Sequence, residues 1–306
     1  MKIKTATFNF QLSTFDRMAS LKEIKGRINS VKSTQKITSA MKMVASAKLR
    51  VAQNQIENFL PYQQHLMSIM NNFLSSETDY TSPLSIKREV DAVAIVVISS
   101  NSSLCGAFNS NVIKLLNQTI KSYPNISREK IYIYPIGKKV EDTVKKSGEV
   151  VQGSFIHLME KPNFDEAKSI ADNLITDFLN KKIDKVELIY NHFKNTASQI
   201  PVQEQFLPVQ LISQQSTKTI STDYIVEPDK ITILEALIPK SLRIKLYAGI
   251  LDSAAAEQAA RTIAMQIATE NANEILSDLT IQYNKQRQQA ITNELLDIIG
   301  GSEALK

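Results

Sequence analysis

From Ser20 to about Phe73, apolar residues recur at steps of three and four. Leu21, Ile24, Ile28 and Val31 open the series, and Ala45, Leu49, Ala52, Ile56 and Phe59 continue it. That alternation predicts a long helix with a coiled-coil seam. Ser20 followed three residues later by Glu23 has the spacing of a capping box and places the helix start. In the middle, the same register falls on the polar residues Gln35, Thr38 and Lys42, while Ile37, Met41 and Val44 lie on another face. The expectation is a stripe that rotates around the helix at mid-length. Pro61 is expected to bend this helix or to end its regular part.

After a polar stretch over 75–90 the period changes. Asp91 to Ile98 is a β-branched run of the kind found in buried parallel strands. The loop SSNSSLCG leads into a predicted helix over 109–121. Further strands are expected at 131–136, near Val150, at 186–190 and at 200–207, with helices at 138–146 and 165–181. Strands alternating with helices indicate crossover units and a mostly parallel sheet.

Residues 210–230 are polar again, and helical periodicity then returns almost to the C-terminus. Leu234, Leu237, Ile238, Leu242, Leu246 and Ile250 form one stripe, with Pro239 a candidate kink. Small and polar residues dominate 253–273, and Ile263, Ile267 and Ile275 are sparse anchors. Gly300-Gly301 is expected to stop the helix. From Ser241 to Ile299 it would run roughly 88 Å. The expected fold class is α/β: a long antiparallel coiled coil of N- and C-terminal helices with an inserted Rossmann-like α/β domain. The expected divisions are a disordered leader (1–17), a coiled-coil helix (18–74), a linker (75–90), the α/β domain (91–210), a loop (211–229) and a second coiled-coil helix (230–306).

Composition narrows the chemistry. Only 8 glycines are present, and no Gly-x-x-x-x-Gly-Lys phosphate loop or Gly-x-Gly-x-x-Gly dinucleotide turn occurs. A single cysteine, Cys105, excludes an intrachain disulfide and a thiolate zinc cage, and suggests a reducing compartment. His65, His157 and His192 are too far apart to pair on one helix. No apolar run reaches the roughly 18 residues of a membrane span. Residues 1–17 lack a secretory pattern. Their scarce acids allow a transit peptide, but the preferred reading is a poorly ordered tail upstream of Met18. No catalytic, cofactor or metal residues are assigned.

The net charge of +5 hides a one-sided run. Lys22, Lys25, Arg27, Lys32, Lys36, Lys42, Lys48 and Arg50 face only Glu23 between Met18 and Ile56. Such a run suits an acidic partner, either nucleic acid or an acidic protein surface, or it is a solvated helix face. The near absence of aromatics there disfavours stacking on single strands. Cys105, in the loop after the first strand, is either a nucleophile at a ligand crevice or a small packing residue beside a turn that Gly106 permits. The packing reading carries more weight. The small residues over 253–273 suit close helix packing, or a smooth surface that touches several neighbours without adhering to one.

Two segments carry a resemblance. MASLKEIKGRINSVKSTQKITSAMKMVASAKLRVAQ (18–53) and NKQRQQAITNELLDIIGGS (284–302) closely resemble the terminal helices of gamma subunits of F-type ATP synthases. LCGAFN (104–109) matches that family's strand-end motif, and DYIVEPD (223–229) resembles a loop at the foot of its globular domain. The family often has Asp-Arg-Gly where this chain has Asn101-Ser102-Ser103. Paired regulatory cysteines of the chloroplast kind cannot exist here. The resemblance implies a central rotor shaft of the proton-translocating enzyme that is not itself catalytic. It would couple rotation of the membrane c ring to ATP synthesis on the alpha/beta ring, and would regulate ATPase activity and proton flow. Implied partners are the alpha, beta and epsilon subunits and the c ring, with no nucleic acid and no cofactor. The implied place is the cytoplasmic side of the bacterial inner membrane, peripherally. Implied contacts to the alpha/beta ring are Lys36, Met41, Lys42, Lys48, Arg287, Gln288, Thr292 and Glu294. Implied contacts to the c ring and epsilon are Tyr224 and Glu227.

Overall fold

The computed structural model of the chain describes residues 20–76, 82–210, 226–227 and 229–303. The expected leader lies outside these residues, as does most of the expected loop over 211–229. Helix α1 spans Leu21–Ser76. Ser20 caps it: its Oγ accepts the Glu23 amide at 3.3 Å. The Glu23 carboxylate accepts instead from Arg27, at 3.1 Å. The helix continues through Pro61. One backbone bond is forfeited there, but packing on both sides holds the helix: Phe59 meets Tyr247 edge-on at 5.2 Å, and Leu66 and Met70 are buried.

The described residues form two compact units. One holds those up to Thr38 and from Ala268 onward, and the other is Ser39–Ile267. In the second unit five strands, β1 (Val93–Ile98), β2 (Ile131–Ile136), β3 (Val150–Val151), β4 (Lys185–Asn195) and β5 (Ser198–Leu207), form one sheet in the order β3-β2-β1-β4-β5. All neighbours pair in parallel except the β4–β5 hairpin. Helices α2 (Phe108–Lys121), α3 (Lys138–Ser147), α4 (His157–Glu160) and α5 (Phe164–Leu179) connect the parallel strands.

Central strand β1 shows why its residues are apolar throughout. Val93, Ile95 and Val97 face Val112 and Leu116 of α2 and Val140 and Val144 of α3. Ala94, Val96 and Ile98 face α5 and helix α6 (Lys230–Glu303). A strand covered on both faces has no polar side, so period-two alternation disappears. Leu234, Ile238, Leu242, Leu246 and Ile250 are the α6 stripe against the sheet. Gly249 permits the approach, since a Cβ there would lie 3.2 Å from Leu188 Cδ2.

In the first unit the two terminal helical segments run antiparallel. Gln35 pairs with Asn273, and Thr38 with Thr269. Two expectations fail. The stripe on α1 does not move onto Ile37 and Val44, which are 59% and 57% exposed: Gln35 and Thr38 stay on the covered face, and Met41 and Lys42 are both half-buried. Hydrogen bonding across the seam is the reason, because it satisfies polar groups that would otherwise be costly to cover. Nor do Gly300 and Gly301 stop α6, which runs to Glu303. Neither has a left-handed φ. Glycine weakens a helix interior by about 1 kcal/mol but does not forbid it.

Candidate interaction surface

The seam has two chemistries. In the unit up to Thr38 and from Ala268, Gln35 Nε2 donates to Asn273 Oδ1 at 2.7 Å, and the Thr38 and Thr269 hydroxyls lie 2.8 Å apart. Thr38 also donates to its own helix at Gln35 O, 3.0 Å away. Within Ser39–Ile267 the seam is dry: Leu49 and Ala52 of α1 pack on Ala255 and Ala259 of α6. The small residues of 253–259 are therefore close-packing residues, with Ser253, Ala255, Ala256 and Ala259 fully buried.

The loop after β1 is closed by the chain itself. Cys105 is 1% exposed and packs with Phe108, Ala256 and Ala260. Its Sγ accepts from Asn109 Nδ2 at 3.1 Å. In a doubly wound sheet this loop borders the ligand crevice, and here α6 occupies that side. The remaining cleft, about 380 Å³, has Cys105 as its only ionisable lining residue among the described residues. Asn101 staples the loop: Nδ2 donates to Ile156 O at 2.9 Å, and Oδ1 accepts the Lys138 amide at 3.0 Å.

A buried ion pair lies beside this loop. Arg261 donates to Glu257 at 2.7 Å and to the Ser103 carbonyl at 2.5 Å. Burial raises the Glu257 carboxyl above its ordinary pKa, against the opposing effect of Arg261. Met41, Lys48 and Val44 share a cleft of about 340 Å³ with this pair. Sequence reasoning assigned neither Glu257 nor Arg261. Their i,i+4 spacing inside an alanine-rich stretch was the available signal.

The expected contact residues fall on both units. Lys36 is exposed in the first unit. Met41 and Lys42 are half-buried and Lys48 is exposed in the second. Of the cations from Lys22 to Arg50, only Arg27 has a carboxylate within ion-pair distance among the described residues. Arg287, Gln288, Thr292 and Glu294 are all exposed on α6. Thr292 donates to its own helix, at Gln288 O, 2.9 Å away. Glu227 is exposed, and Tyr224 lies outside the described residues. Towards the end of α6 the apolar residues Ile291, Leu295, Leu296, Ile298 and Ile299 are all exposed, Ile298 by 68%. Among the described residues no helix is long and apolar enough to cross a membrane.

Comparison with known proteins follows the same outline. A family model described as ATP synthase matches residues 20–305. The chain is 54% identical over 289 residues to the ATP synthase gamma chain of Phocaeicola vulgatus, covering 94% of this chain and 100% of that one. It is 56% identical over 290 residues to the gamma chain of Bacteroides fragilis, with the same coverage. Among solved structures, it resembles a chain of the Euglena gracilis mitochondrial ATP synthase (OSCP/F1/c-ring) with a TM-score of 0.65. That match covers 93% of this chain and 94% of the other at 20% identity, and it speaks to the fold.

Proposed function

The chain belongs to the family of ATP synthase gamma chains, and from that premise we propose that it is the central shaft of a rotary, proton-translocating ATP synthase. It is thus a subunit of an enzyme complex, and in our reading it carries no catalytic site of its own. The side of the sheet where a ligand would enter is filled by α6, and the cleft left there has no base, acid or metal-ligand cluster besides the buried Cys105.

The observation that carries the shaft reading is the apolar end of α6. Five large aliphatic residues within Ile291–Ile299 are exposed among the described residues. A contiguous apolar surface of this kind marks an interface. A sleeve of alpha and beta subunits would cover it. The cations of α1 that have no carboxylate partner among the described residues, with Lys36, Lys42 and Lys48 at the centre, would face acidic loops of that sleeve, and Met41 would touch them. Arg287, Gln288, Thr292 and Glu294 would bond to it one turn before the tip, and Tyr224 and Glu227 would meet the c ring and epsilon. The complex would sit on the cytoplasmic face of the bacterial inner membrane.

Mechanically, the chain supplies differential binding. A shaft that lacks threefold symmetry contacts each beta subunit differently, so each holds nucleotide with a different affinity. Rotation driven by the c ring moves those differences around the sleeve. Run backwards, the same contacts let ATP hydrolysis drive proton flow.

A truncation series in the reconstituted complex tests this. Removing Gly300–Lys306 is expected to leave ATP-driven proton pumping nearly intact. Removing Arg287 onward is expected to weaken assembly and torque while leaving part of the turnover. Full pumping after removal of Arg287–Lys306 would overturn the assignment of this end as the bearing.

A further inference from the structure

One concavity in Ser39–Ile267 lies between α1, α6 and the β4–β5 hairpin. It is a cleft of about 510 Å³, within the range of small-molecule sites. One wall is α1, with Ile56, Phe59, Leu60 and Met67. The other is α6 and the β4–β5 hairpin, with Phe193 and Leu251 among the apolar residues.

Its charged groups are unbalanced. Glu57, Glu204 and Asp252 line it against a single ammonium, Lys245, and His192. Most of these groups are already engaged. Glu204 accepts from Lys245 at 3.0 Å and from the Tyr190 hydroxyl at 3.0 Å. Asp252 pairs with His192 Nδ1 at 2.6 Å and accepts the Phe193 amide at 2.8 Å. Glu57 has no partner among the described residues, and Nδ1 pairing leaves the other ring nitrogen of His192 outside the Asp252 contact. Burial raises the Asp252 carboxyl above its usual pKa, against the opposing effects of His192 and the Phe193 amide.

We propose that this cleft binds amphiphilic monocations: an aryl or alkyl body lies between Ile56 and Leu60 on one wall and Phe193 on the other, and one ammonium group meets the Glu57 carboxylate. A neutral ligand of the same shape would gain only the apolar burial, and an anion would be repelled. Because the walls come from α1, α6 and the hairpin, an occupant would bridge all three.

The test is calorimetric titration of the full-length chain with three probes of one shape: 4-phenylbutylammonium, 4-phenylbutanol and 4-phenylbutyrate. The ammonium is expected to bind saturably and at least about tenfold more tightly than the alcohol, as one charge interaction at intermediate dielectric allows. The carboxylate is expected not to bind. Raising salt to about 1 M should narrow the gap between ammonium and alcohol by screening. Glu57→Gln, at an exposed helix position that leaves the fold intact, should remove most of that gap and leave the alcohol unchanged. Ala248→Phe, which fills the cleft, should abolish binding of both, with helicity by circular dichroism confirming the fold. Equal affinity for ammonium and alcohol, or a gap that survives Glu57→Gln, would overturn the proposal.

Discussion

The same two helices, α1 and α6, meet through different chemistry in the two units. Within Ser39–Ile267 they meet through Leu49 and Ala52 on Ala255 and Ala259, without a polar group in the cluster. Near Thr38 they meet through hydroxyls and amides, Thr38 on Thr269 and Gln35 on Asn273. The dry seam gains stability from burial and close contact. The polar seam gains little net stability, but a slipped register would leave its groups unmatched. The difference separates anchoring from alignment: the anchoring stretch belongs to the unit with the sheet, and the alignment stretch to the unit with the exposed α6 end.

Perturbing the buried pair of the anchoring stretch should have the largest effect. Glu257→Ala leaves Arg261 buried with only the Ser103 carbonyl, and should destabilise the chain by about 3–5 kcal/mol in urea unfolding. Glu257→Gln gives a pH reference. The folded pKa of Glu257 is raised by burial, so the folded chain takes up this proton more readily than the unfolded chain. Wild-type stability relative to Glu257→Gln should therefore fall as pH rises from the ordinary glutamate value through the raised one, and stay flat above it. Unfolding curves at a series of pH values read this directly, and an opposite slope would mean that Arg261 outweighs desolvation.

Leu49→Ala comes next. It removes a buried side chain from the dry seam and should cost about 2–4 kcal/mol. The polar seam should respond less. Thr38→Val and Thr269→Val, combined in a double-mutant cycle, should show a coupling of about 0.5–1.5 kcal/mol. A coupling as large as the Leu49→Ala loss would erase the contrast between anchoring and alignment. Leu296→Gln should have the smallest effect on the isolated chain, within about 0.5 kcal/mol, because Leu296 is exposed. The same substitution should measurably weaken association with the alpha and beta subunits, read as a raised dissociation constant.

Much of the fold was legible because long helices and a doubly covered strand leave strong patterns. β2 runs from Ile131 to Ile136 as read, and Ser20 caps α1. The rotated stripe was misread because apolar Ile37 and Val44 drew the face towards themselves, whereas the packing face is defined by what the opposite helix offers. Asn273 and Thr269 were needed to see Gln35 and Thr38 as seam residues. Gly300-Gly301 read as a stop because glycine ends many helices, yet a fraction of a turn at an exposed tip costs little. The Glu257–Arg261 pair was hidden for another reason: its second anchor is the backbone carbonyl of Ser103, which no side-chain pattern reports.

The central claim, that this chain is a turning shaft held by its exposed α6 end, is tested most directly by watching it turn. A single cysteine introduced at exposed Lys194 in the β4–β5 hairpin would carry a bead, since Cys105 is buried. The labelled chain would be assembled with its alpha and beta subunits fixed to a surface, and ATP added. The account predicts sustained rotation in one direction that slows and loses torque when residues from Arg287 onward are removed. ATP hydrolysis by the assembled complex with a stationary bead would contradict it.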